Sequence, residues 1–273
     1  MKASITPFNN AQNDPKLRYV LRLADTCLIL AQRLGEWCGH APALEEDIAL
    51  TNIALDLVGQ SRLLYALAGQ LCGPNSYTED QLAFLRNERD YLNVTLVELP
   101  NGIRKGKNIG SGNDFAFSIL RVFAVASFLK PIWQRLQLSN DADLAAVAGK
   151  ALKEVRYHQQ HAGDWVVRLG DGTEESHRRM QDALNQLWPY TTEMLTNDAV
   201  DDAAHESGLG PRFGDVKTDW LADVNAVLTA AALQTPKATA FVSTGKAGRH
   251  SEHMGFLLAD MQYLQRSFPG GVW

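Results

Sequence analysis

The stretch "NDADLAAVAGKALKEVRYHQQHAGDWVVRLGDG" (residues 140–172) decides the fold class. Leu144, Ala148, Ala151, Val155, His158, Ala162, Trp165 and Leu169 recur at alternating intervals of four and three. That is the seam of a long helix packed in a bundle. Acidic residues open it and Gly170 offers a stop. Within it, "KEVRYHQQH" (153–161) sets Glu154, His158 and His161 at i, i+4 and i+7, on one face. A carboxylate and imidazoles on one helical face are the parts of a metal site in a helix bundle.

Working outward, the same apolar spacing predicts helices over 17–34, 44–69 and 114–139, the last being the most apolar of the chain. A shorter helix is expected over 78–98, losing definition at its β-branched end. Further helices are expected near 174–196, 215–233 and 251–267, with a Gly-, Asp- and Pro-containing connection over 197–214. No alternating β-branched run suggests a sheet, so the chain reads as all-α. Residues 1–14 are polar and read as a disordered tail, leaving 15–273 as one helical domain. The net charge of −5 speaks against a broad nucleic-acid or anionic-membrane surface. No run reads as a membrane span. The amino terminus lacks a secretory pattern, and Cys27, Cys38 and Cys72 have no paired spacing, which fits reduced thiols in the cytoplasm.

A carboxylate-bridged di-iron bundle takes a Glu from each of two helices and Glu-x-x-His from each of the other two. Here the first helix offers Asp25 and the second Asp56, with Gly59 where the histidine would stand. The fourth offers Glu154, with His158 at i+4 instead of i+3. The third offers nothing, because no Asp, Glu or His lies between Asp114 and Asp141. At most Asp25, Asp56, Glu154 and His158 remain. They read as a vestigial polar layer bonded internally or to Lys150 or Arg62, since buried charges must be paired. A working oxygenase centred on Glu154 and His158 is the rival reading, and a ferritin-like homo-oligomeric scaffold a third.

Elsewhere, "GKAGRHSEHMG" (245–255) places Lys246 and Arg249 before a helix start, an arrangement able to hold an anion, a coenzyme or a partner. It lacks the full phosphate-loop pattern. "DDAAHE" (201–206) reads as an acidic solvated turn. Trp37 and Trp273 are candidates for a docking face.

Four segments carry a resemblance: "LRLADTCLILAQRLGEWCGHAPALEEDIALTNIALDLVGQSR" (21–62), "FLRNERDYLNVTLVELPNG" (84–102), "KEVRYHQQHAGDWVVRLGDGTEES" (153–176) and "GKAGRHSEHMGFLLADMQYLQRSFPGGVW" (245–273). Together they are similar to the C-subunit family of bacterial phenylacetyl-CoA epoxidases. The resemblance implies a ferritin-like four-helix bundle with additional C-terminal helices. It also implies a role in aerobic phenylacetate catabolism as a structural, non-catalytic subunit. The di-iron centre is then expected on a partner, the catalytic A subunit, with further subunits and a reductase completing the complex. No cofactor is expected in this chain.

Overall fold

A computed structural model describes residues 14–73, 76–102 and 113–271. Two long antiparallel pairs make the bundle. Helix α1 (Pro15–Trp37) runs along α2 (Leu44–Leu71), α4 (Phe115–Leu136) runs along α5 (Ala142–Gly170), and α2 lies against α5. Between the pairs the chain passes through the short helix α3 (Glu79–Phe84) and two 3₁₀ turns, Glu88–Asp90 and Thr95–Glu98. Among the described residues no strand forms, and one isolated bridge joins Thr244 to Arg249. This is the ferritin-like, all-α architecture that the sequence led one to expect.

Helix starts follow local chemistry. Asp14 accepts from the Lys16 N–H at 2.9 Å ahead of Pro15, and Asp141 accepts from the Leu144 N–H at 2.9 Å. Asp114 caps α4 in the same way, through the Ala116 N–H. Gly170 does not merely stop α5. A Cβ there would lie 2.5 Å from the Ala231 carbonyl oxygen, so glycine lets the C-terminal end of the helix Lys217–Ala230 approach.

α4 is the central strut. Phe117, Ile119, Val122, Phe123, Phe128 and Trp133 are all buried. By length and composition this helix passes as a membrane span, contrary to the sequence reading, but 89% of its most apolar stretch lies inside the protein. It is a core helix.

The remaining elements clad the bundle. α6 (Glu174–Leu187) packs on α4 and α5, and α7 (Thr191–Met194) continues from it through the turn Trp188–Tyr190. α8 (Ala199–Glu206) packs on α1, α9 (Lys217–Ala230) on α4 and α5, and α10 (Glu252–Ser267) on α3 and the 3₁₀ turns. α8 corrects the reading of 201–206 as a solvated turn. Asp198 caps it with a capping box, and Asp201 is fully buried.

Candidate functional site

Asp25, Asp56, Glu154 and His158 do not form one layer; they separate into three polar clusters. Asp25 sits fully buried on α1. Its Oδ1 accepts from the Tyr65 hydroxyl at 2.5 Å and from Arg86 Nη2. Its Oδ2 accepts from Arg86 Nη1 at 3.1 Å and from the Leu92 N–H at 2.7 Å. Arg86, also fully buried, lies over the rings of Tyr91 and Tyr65, 4.1 Å and 5.3 Å from their centroids. Burial works against its charge, yet Asp25 and the tyrosines outweigh that and hold its pKa above the ordinary arginine value. Tyr65, pushed up by burial and then by Asp25, keeps its proton and donates it.

The second cluster joins α5 to α2. His158 Nε2 lies 2.9 Å from Asp56 Oδ2, with the imidazole buried and the carboxylate 39% exposed. Burial lowers the His158 pKa despite the pull of Asp56, so the neutral ring donates one Nε2–H. Asp56 is therefore a rim residue, contrary to its sequence assignment to the core. His161 and Glu46 meet one turn along at 3.1 Å.

In the third cluster the Gln60 amide donates to Glu154 Oε2 at 2.9 Å, and its oxygen lies 3.6 Å from the Cys27 sulfur. Burial pushes the Cys27 thiol far above its usual range, so it stays a neutral thiol. Lys150 reaches Glu154 only at 4.0 Å, and Arg62 pairs with Glu79 on the surface, not with the interior carboxylates.

These residues do not fit a two-metal centre. Among the described residues no three His, Cys, Asp or Glu side chains come together in a way that could hold a metal ion. Both oxygens of Asp25 are already engaged. α4 contributes only Ser118, Arg121 and Ser127 as buried polar groups. Burial, helped by Arg33, pushes the Arg121 guanidinium down to about 9, and its bonds go to the Leu99 carbonyl and Asn101. A buried cation repels a metal.

Lys246 is not an open anion contact. It is 6% exposed, and its ammonium pairs with Asp201 at 3.0 Å and Asp198 at 3.7 Å. Arg22 on α1 completes that cluster, 2.6 Å from Asp198 and 3.3 Å from Asp201. Arg249, grouped with Lys246 in the sequence reading, is exposed. Trp37 is buried in the core, not on a docking face, and Trp273 lies outside the described residues.

Sequence reasoning missed Arg86, Glu98, Glu193 and Asp201. Glu98 accepts from Ser251 N–H at 2.5 Å and bonds His250 at 2.8 Å. Glu193 accepts from the Thr95 and Lys246 N–H groups and the Ser243 hydroxyl. One signal was available: Arg22 and Asp25 are charges inside a nearly unbroken apolar run over 19–31, which requires a buried partner for each.

Comparison with known proteins adds two findings. The PaaA_PaaC family model, described as phenylacetic acid catabolic protein, matches residues 2–273. A relative from Escherichia coli (strain K12), the C subunit of 1,2-phenylacetyl-CoA epoxidase, is 45% identical over 255 residues, covering 93% of this chain and 98% of that protein.

Proposed function

Because the chain belongs to the phenylacetic acid catabolic protein family, we propose that it is a structural C-type subunit of a phenylacetyl-CoA epoxidase. In this reading it works in aerobic phenylacetate catabolism in the cytoplasm, pairing with and supporting a di-iron catalytic A subunit alongside further subunits and a reductase. It carries no metal and does no chemistry of its own.

The observation behind this reading is the occupied interior. Where a catalytic bundle needs open carboxylates, Asp25 is bound by a guanidinium, a phenol and a backbone N–H. A helix as central as Phe115–Leu136 supplies no ligand at all. What such a bundle offers is shape and stiffness. Catalytic ligands need placement to within about 0.5 Å, and a rigid bundle docked alongside them restrains the helices that carry them.

Reconstitution tests the reading. The A subunit and reductase, assayed for oxygen-dependent conversion of phenylacetyl-CoA, are expected to be active with this chain and nearly inactive without it. The Glu154→Ala and His158→Ala variants are expected to support activity as long as they fold. Full activity in the absence of the chain, or loss of activity in a folded Glu154→Ala complex, contradicts the reading.

A further inference from the structure

α2 is apolar on both sides. Its inner side buries Leu50, Ile53, Leu57 and Leu64. Its outer side leaves Leu44, Ile48, Leu55 and Leu63 respectively 71%, 53%, 62% and 41% exposed. The first three share one stripe at helical spacing, and Leu63 turns it towards α5. A helix that is hydrophobic all round belongs in a core, yet half of this one faces outward. The stripe runs on over a groove of about 360 Å³ between α2 and α5. Further along α5, beyond the groove, Tyr157 stacks on His161 and is 53% exposed.

We infer that this α2–α5 face is the surface on which the catalytic A-type subunit docks, bundle against bundle; the inference rests on the function proposed above. Three observations support it. The first is size: a helix of 28 residues is about 42 Å long. With α5 beside it at helix-packing distance, the face offers roughly 800 Å², the share one partner contributes to a stable complex. The second is composition, since large apolar residues and a tyrosine surrounded by polar groups mark an interface centre. Lys150 and Lys153 are exposed along the α5 edge, so the fitting partner sets acidic side chains there. The third is stiffness. The Asp56–His158 and Glu154–Gln60 bonds cross between α2 and α5 under this face and fix the two helices relative to each other.

Co-purification on a tagged A-type subunit of the same epoxidase, with the full chain in each case, tests the surface. Two independent variants, Leu55→Glu with Leu63→Glu and Leu44→Glu with Ile48→Glu, alter exposed residues only. A third, Phe256→Glu with Tyr263→Glu on α10, serves as control, because those residues are 74% and 62% exposed on another face. Wild type is expected to co-purify. Each folded α2 variant should bind at least tenfold more weakly, with the α10 variant unchanged. Should one α2 pair misfold, the other gives the answer. Undiminished binding by the α2 variants, or loss in the α10 variant alone, overturns the surface but not the pairing. Failure of wild type to co-purify overturns the pairing itself. Light scattering of the chain alone provides the last arm. A dimer abolished by the α2 variants assigns the stripe to a second copy and overturns the inference.

Discussion

At Asp25 a carboxylate that the sequence assigns to a polar layer with Asp56, Glu154 and His158 is committed instead to Arg86, Tyr65 and the Leu92 N–H. Its partner Arg86 is 61 residues away in a non-helical segment, where no periodicity reveals it. Breaking such a pair from one side strands a buried charge. Asp25→Ala is expected to cost about 3–5 kcal/mol in urea unfolding. Arg86→Met should cost a similar amount, and the double variant less than the sum. Asp56 is different, because its carboxylate is 39% exposed and only its partner is buried. Asp56→Ala is expected to cost about 1 kcal/mol, the worth of one hydrogen bond; a loss several times larger would restore Asp56 to the core. The spacing of Glu154 and His158 was correctly read as one face, but helical spacing alone does not say which residue on α2 each will meet.

His250 gives a pH test at the same scale. Burial opposes its charge, but the Glu98 bond and charge, the Tyr91 carbonyl and Asp25 outweigh it, so its pKa is raised. The folded protein then holds the proton more tightly than the unfolded chain, whose value is about 6.5. Its stabilisation is complete below that and is lost as pH rises through the folded value. The lowered His158 acts in the opposite sense and only below about 6.5. Stability to urea should therefore decline as pH rises above about 6.5, and His250→Gln should flatten that decline. An unchanged slope contradicts the assignment.

At the scale of elements, the long helices were readable because each carries a seam several turns long. The predicted 114–139 and 140–172 became Phe115–Leu136 and Ala142–Gly170. Short elements were not. α8 has eight residues and three acidic ones, and its identity comes from what it touches: Asp201 meets Arg22 on α1 and Lys246 in the loop before α10. Similarly, 78–98 holds one turn and a half of helix and then 3₁₀ turns, because the N–H groups of Leu92, Val94 and Thr95 are taken by the side chains of Asp25, Thr26 and Glu193 instead of by a continuing helix, while the Glu98 carboxylate binds His250 and the Ser251 N–H. Lys246 is thus a clamp between elements. Lys246→Met is expected to lower stability by about 3 kcal/mol and to speed hydrogen exchange across 243–251. Normal stability together with weakened binding of an anionic ligand would point back to a solvent-facing lysine.

Across the whole molecule, the all-α class and the long helices were legible from apolar period, the ferritin-like arrangement from the resemblance, and the absence of Asp, Glu and His between Asp114 and Asp141 from simple counting. The buried charge partners Arg86, Asp201 and Lys246 were not, since they come from connections and cladding helices that contact the bundle only in three dimensions. What results is a ferritin-like frame in which Asp25, Asp201 and Lys246 are neutralised by the protein's own side chains and Arg121 is held by a carbonyl and an amide oxygen. The most direct test is elemental analysis of the full chain purified alone after growth in iron-rich medium, beside the same measurement on its complex with the A subunit. Well under 0.1 iron per chain is expected in the isolated protein, with iron in the complex tracking the A subunit and unaffected by Glu154→Ala; two irons per chain in the isolated protein, lost on that substitution, would place a working metal centre inside this bundle.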